Sequence, residues 1–213
     1  EQGGGEATVI AWKWARTVKC PNPACGCEMP LASSFILSKK AGKEACVNPL
    51  YNNGELSFRV KHTGKPAIDG TVSRKGAVCA CCGAPVGFPY IREEGKAGRM
   101  GAKLMAIVAE GNNGRIYLSP NEPHQEAANI KKPTDFPDAV LPNNPRDFKT
   151  PNYGLLNFSD LFTHRQLTAL TTFSDLVAEA QAHAEADAIT AGMAVDGVPL
   201  VDGGSGATAY GQA

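Results

Sequence analysis

Residues 7–20, Ala-Thr-Val-Ile-Ala-Trp-Lys-Trp-Ala-Arg-Thr-Val-Lys-Cys, place Trp12 and Trp14 on one side and Lys13 on the other. That period of two, in a run of β-branched and aromatic residues, predicts a strand delivering Cys20. The same pattern predicts a second strand from Leu31 to Leu37, closed by Ser38-Lys39-Lys40-Ala41-Gly42. Third and fourth strands run from Glu44 to Leu50 and from Glu55 to His62. Asn52-Asn53-Gly54 joins them, a turn that favours the positive φ of a tight hairpin. A fifth, Thr71 to Val78, leads into Cys79, so residues 10–90 are expected to form one antiparallel sheet.

Beyond it the periodicity changes. Residues 91–101, with glycines at 95, 98 and 101, read as a short helical turn and a glycine-rich bend; the Walker pattern is missing. Lys103 to Glu110 and Arg115 to Leu118 flank Gly-Asn-Asn-Gly, a second hairpin signal. A helix is predicted from Glu122 to Ile130, with Asn121 as N-cap and Pro123 in its first turn. Residues 131–154 carry five prolines and read as an extended linker over a surface. From Thr163, as N-cap, the three- and four-residue steps Leu167, Leu170, Phe173 and Leu176/Val177 predict an amphipathic helix reaching about Ile189. The stretch 202–213 is expected to be a flexible loop.

The cysteines turn this outline into chemistry. Cys20-Pro-Asn-Pro-Ala-Cys25-Gly26 and Cys79-Ala-Cys-Cys82-Gly83 each set a cysteine, a spacer, and a second cysteine before glycine. That is the form of a zinc knuckle, in which glycine permits the positive φ that turns N–H groups toward the sulfurs. Cys20, Cys25, Cys79 and Cys82 are the expected ligands of one Zn²⁺, with Cys27 an alternative to Cys25 in a wider loop. Cys81 points out of its turn on this reading, and Cys46 is a small core hydrophobe. Four sulfurs leave no open position for a reacting water, so the site reads as structural. A thiol redox protein would instead require Cys79 and Cys82 to be metal-free and reactive. The fold class that follows is α+β: an antiparallel zinc-ribbon-like β domain over 1–118, then a proline-rich linker and helical segment over 119–213.

Hydrophobic content of 43% in 213 residues supports a packed core, and no apolar run approaches transmembrane length. An opening Glu-Gln-Gly-Gly-Gly-Glu is no secretory signal, and clustered odd-numbered cysteines fit a reducing, cytoplasmic setting. The missing initial Met suggests an excised piece of a longer protein. Zero net charge conceals an asymmetry: residues 1–115 hold 16 Lys+Arg against 9 Asp+Glu, and residues 116–213 hold 5 against 12. A basic half containing the knuckles suggests a nucleic-acid neighbour. Catalytic signals are thin. His62, His124, His164 and His183 are dispersed, and neither a His-Glu-x-x-His run nor a Gly-x-Ser-x-Gly elbow occurs. Asn48-Pro49-Leu50-Tyr51 is one residue from the motif with which amino-methyltransferases hold an extruded adenine, but it reads here as a strand end.

Thr17 to Gly26 with Glu28-Met-Pro-Leu31, Glu94 to Gly101, Asn144 to Phe148, Tyr153-Gly154 and Leu161 to Leu167 carry a resemblance. In this order they resemble the central region of large prokaryotic, adenine-specific DNA methylase-like proteins containing a zinc ribbon. His164 departs from it, standing where proline is expected in many relatives. The resemblance implies a parent S-adenosylmethionine-dependent methyltransferase whose methyl-donor loop precedes residue 1 and whose Asp-Pro-Pro-Tyr motif follows residue 213. This segment would be a non-catalytic intervening domain that does not itself bind the methyl donor. DNA is then the expected partner, with Lys39, Lys40, Lys43, Arg59, Lys61, Lys65, Arg74 and Lys75 as candidate phosphate contacts. The alternative is an architectural zinc module that packs against flanking methyltransferase halves or another protein.

Overall fold

The computed structural model describes residues 7–111, 114–142, 144, 146 and 148–190. The expected loop at 202–213 and the Asn112-Asn113 hairpin tip lie outside these. The chain is mixed α and β with antiparallel sheets, as expected of an α+β protein. In order come β1 (Val9–Lys19), β2 (Glu28–Leu31), β3 (Ile36–Ser38), β4 (Ala45–Asn52), β5 (Glu55–Lys61), β6 (Val72–Ser73), β7 (Gly76–Val78) and β8 (Pro85–Val86). Helix α1 (Phe88–Lys96), strands β9 (Gly101–Gly111) and β10 (Gly114–Leu118), and helices α2 (Glu122–Ala128) and α3 (His164–Thr190) follow. Among the described residues no helix is long and apolar enough to cross a membrane.

The single sheet expected over residues 10–90 is instead three, ordered β10-β9-β1-β2, β3-β4-β5 and β6-β7-β8. Two expected strands are cut by side chains that compete for the backbone. Ser34 Oγ accepts from the Ile36 N–H at 3.1 Å, and Thr71 Oγ1 accepts from the Ala32 N–H at 3.0 Å, which divides the expected Leu31–Leu37 strand. Ser73 Oγ accepts from the Lys75 N–H at 3.2 Å, folding Thr71–Val78 into a hairpin whose turn is Arg74-Lys75. The Trp12/Lys13/Trp14 alternation runs into an irregularity: the register slips between Lys13↔Ala106 and Trp14↔Leu104, so Met105 is the extra residue of a bulge. Trp12 is half-buried, its indole N–H donating to His124 Nδ1 at 2.8 Å, whereas Trp14 is exposed.

The helix signals fare well. Asn121 caps α2 by accepting from the His124 N–H at 3.0 Å. Thr163 opens α3 with a reciprocal pair: its hydroxyl accepts from the Gln166 N–H at 3.3 Å while the Gln166 amide oxygen accepts from the Thr163 N–H at 2.8 Å. His164 therefore starts the helix without needing proline.

The described residues fall into two compact units, one running to Asn129 and including Ala139–Leu161, the other comprising Ile130–Asp138 and the residues from Phe162. The first unit has two cores. Ala15, Phe35, Val47, Leu56, Phe58, Val60, Met105 and Ala106 fill one. Val18, Cys20, Met29, Ala77, Cys79, Val86 and Ile91 fill the other, which surrounds the cysteine turns. The segment around Tyr153, part of the proline-rich stretch, lies on α1: a Cβ at Gly95 would collide with the Tyr153 carbonyl. Helix α1 ends through Gly98 at φ +68, and Arg99 forks onto the Glu94 carboxylate at 2.7–3.2 Å.

Gly95→Ala decides between two effects. Alanine gains about 1 kcal/mol in helix propensity, but backbone overpacking against a carbonyl costs about 1–3 kcal/mol. The collision is with main chain, which yields poorly, so the variant should unfold at lower urea than the parent. A raised midpoint would show that the 150–154 turn moves away freely.

Candidate metal centre

Strand β1 ends at Lys19 and hands Cys20 into the first turn, which returns at Cys27 just before β2. The Cys20 N–H donates to the Cys27 carbonyl at 2.9 Å, closing its base. Inside, the Asn22 carbonyl accepts from the N–H groups of Cys25 at 2.9 Å and Gly26 at 3.0 Å, with Gly26 at φ +56. The second turn sits between β7 and β8. Its base is the Cys79 N–H to the Ala84 carbonyl at 2.9 Å, and the Cys79 carbonyl accepts from the Gly83 N–H at 2.9 Å, with Gly83 at φ +75.

The two turns share one frame, offset by a substitution. Asn22-Pro-Ala-Cys25-Gly26 superposes in sequence on Cys79-Ala-Cys-Cys82-Gly83, with Asn22 at the position of Cys79. The first turn therefore takes its leading sulfur two residues earlier, from the end of β1. Asn22 serves the site differently. Its Oδ1 accepts from the Ala24 N–H at 3.1 Å, and its Nδ2 donates toward Cys82 Sγ at 3.9 Å, across the gap between the turns.

Thr71 fastens the second turn to the first. Its hydroxyl donates to the Pro30 carbonyl at 2.5 Å and its N–H to the Ala32 carbonyl at 2.7 Å, at the far end of β2. Tyr90 on α1 donates its hydroxyl to the Lys19 carbonyl at 2.9 Å, immediately before Cys20.

The outcome is a group of four: the Sγ atoms of Cys20, Cys25, Cys79 and Cys82 all lie within 4.8 Å of one another. Cys20 to Cys82 is 3.8 Å and Cys25 to Cys79 is 3.9 Å. A tetrahedron with metal–sulfur bonds of about 2.3 Å has edges of about 3.8 Å. Two edges that join the opposite turns thus already have the length a tetrahedral thiophilic cation needs. The donor set of four thiols fits Zn²⁺, and it offers no position for a reacting water.

Cys27 lies outside this group, in a second one with Cys25 and Cys81. Cys46 is buried in β4 and belongs to neither.

The thiols differ in acidity. Burial pushes Cys20 up to about 12. The Ala84 N–H beside the sulfur holds Cys82 down at about 7. Tyr51 is an unforeseen neighbour: its hydroxyl is buried with no hydrogen-bond partner among the described residues, and burial followed by the charges of Cys79 and Cys81 pushes it upward. Asn48-Pro49-Leu50-Tyr51 is indeed ordinary strand within β4, Asn48 being held by the Ala67 N–H at 2.9 Å. Asn22 was legible as an asparagine three residues before a Cys-Gly pair; nothing in the sequence placed Tyr51 beside the cysteines.

The eight basic candidates are all exposed, and they are distributed over several elements. Lys39, Lys40 and Lys43 occupy the β3–β4 connection, and Arg59 and Lys61 alternate with buried Phe58 and Val60 on the outer face of β5. Lys65 follows in the next loop, and Arg74-Lys75 form the hairpin turn preceding Cys79. Neither a family model, nor a curated protein, nor a solved structure matches this chain.

Protein prepared without chelator should hold one zinc per chain and protect four thiols from alkylation. Chelation should unfold the turn region, since structural zinc contributes about 10–16 kcal/mol in small fingers. A folded, metal-free protein with every exposed thiol reactive would dismiss the centre. Metal affinity should also fall on acidification, because each ligand must shed its proton. The fall should steepen below the Cys82 value of about 7, where that thiol too becomes protonated. A slope that stays constant between pH 6 and 8 would mean that Cys82 is not a ligand.

Proposed function

We propose that this chain is a zinc-holding, non-catalytic domain that assists DNA binding or target recognition by an S-adenosylmethionine-dependent, adenine-specific DNA methyltransferase of prokaryotic type. The observation that carries the metal half is the four-sulfur group, two of whose spans match the edge of a thiolate tetrahedron. The methyltransferase half rests on the ordered motifs from Thr17 to Leu167. DNA contact is supported by exposed cations on turns, above all Arg74-Lys75, five residues or fewer from Cys79. A metal-braced turn is a rigid platform from which such side chains reach phosphates, a salt-sensitive contact without sequence information. Catalysis would belong to the parent's flanking parts, and a cytoplasmic location follows from that role.

A second reading is favoured by one observation on α3. Leu170, Phe173, Leu176 and Val177 follow helical steps yet are 51–68% exposed. An uncovered apolar stripe of this kind is what a packing helix presents. On that reading the zinc is a brace and α3 docks onto a flanking methyltransferase half.

Arg74→Glu with Lys75→Glu separates the two. Both residues are exposed, so the fold should survive. On the DNA reading, binding of duplex DNA by the chain weakens at least tenfold at low salt, and the slope of log K against log[salt] becomes shallower by about two. Unchanged DNA affinity at low salt, or none in the parent chain, favours the packing reading.

A further inference from the structure

Two sulfurs remain beside the four. Cys27 Sγ and Cys81 Sγ are 2.9 Å apart, one from each turn. Cys27 is 8% exposed and Cys81 is exposed. A second metal is the first possibility to weigh, since both lie within 4.8 Å of Cys25. That site would have three sulfurs, one of them already among the first four, and no fourth donor among the described residues. Its two private ligands would also sit about 0.9 Å closer than a tetrahedral edge of about 3.8 Å permits. A direct bond makes neither demand. It requires only these two atoms, and they approach from separate turns whose backbones are held independently by Gly26 and Gly83.

We propose that Cys27 and Cys81 form a reversible dithiol–disulfide couple that staples the two turns beside the four-cysteine group. The oxidant is a low-molecular-weight disulfide. Exposed Cys81, as thiolate, attacks one sulfur of that disulfide, forming a mixed disulfide and expelling one thiol. Cys27 then attacks Cys81 Sγ, forming the Cys27–Cys81 bond and expelling the second thiol. Two protein thiols are oxidised, the reagent disulfide is reduced to two thiols, and the two protein protons leave on them. The chemistry divides labour by position. Cys81 meets the reagent because it is exposed; Cys27 resolves because it is buried within reach. The staple spans a sequence separation of 54 residues, the same two turns that the metal would join. The turns would thus stay joined if oxidation or a competing chelator removed the cation.

The test equilibrates the whole chain, as purified with its metal, in graded ratios of oxidised to reduced glutathione. It is then acid-quenched, alkylated and peptide-mapped, with zinc measured in parallel. The expected result is a Cys27–Cys81 link, reversed by reduced glutathione, while zinc stays bound and Cys20, Cys25, Cys79 and Cys82 escape modification. Cys27→Ser should stop at a glutathione adduct on Cys81, and Cys81→Ser should lose both link and adduct. Cys81 is exposed, so that variant should fold even if Cys27→Ser does not. A wild-type chain that only accumulates the adduct, or links only after its zinc is lost, overturns the proposal. So does a second zinc per chain that disappears in Cys81→Ser, which would assign the pair to a shared-thiolate cluster.

Discussion

Everything in the knuckle region depends on holding four sulfurs within 4.8 Å of one another from turns far apart in sequence. The strands that carry the second turn are two or three residues long: Val72–Ser73, Gly76–Val78 and Pro85–Val86. Sheets of that size are marginal in water without outside support. Part of the support is apolar, since Cys20 and Cys79 lie in one core with Val18, Met29, Ala77, Val86 and Ile91. Thr71 adds hydrogen bonds to Pro30 and Ala32 at the end of β2. The four thiols stand at ordinary contact distances, and a cation held among them would join the two turns through a coordination shell.

A dication among four thiolates leaves a net charge of about −2, which needs donors around it. The surroundings supply dipoles: the Asn22 amide lies 3.9 Å from Cys82 Sγ, and the Ala84 N–H depresses the same thiol. Charge balance alone is a weak explanation for the exposed cations on the turns. Across about 10 Å of water a pair of unit charges interacts by only about 0.4 kcal/mol before salt screens it. Exposed cations at that range thus gain little from the charge of such a site.

How much of this was written in the sequence differs by element. The Asn-Asn-Gly turn, the two Cys-Gly turns and the caps at Asn121 and Thr163 were legible, because each depends on residues within seven positions of one another. The division into three sheets was not. It follows from Ser34, Thr71 and Ser73 side chains taking backbone partners, and hydrophobic period does not report on hydroxyls. The bulge opposite Trp14 depends on β9, some ninety positions later in the chain. At the site, spacing suggested Cys20, Cys25, Cys79 and Cys82 but left Cys27 open as an alternative, and only distance separates the two groups. Tyr51 joins the neighbourhood through β4, a strand that carries no knuckle at all.

The stripe on α3 follows the three- and four-residue steps expected of an amphipathic helix, and within its own unit Leu167 is buried whereas Leu170, Phe173, Leu176 and Val177 are exposed. A 27-residue helix can form on propensity, and Ala-rich stretches such as residues 178–186 favour it. Propensity does not explain why phenylalanine and leucine recur at three- and four-residue steps on an exposed surface. Exposed apolar area is a standing cost in water of about 25 cal/mol per Å². The turns of the first unit carry exposed cations and the helix of the second an exposed apolar stripe, so the two units present different surface chemistries, one suited to anions and one to apolar surface.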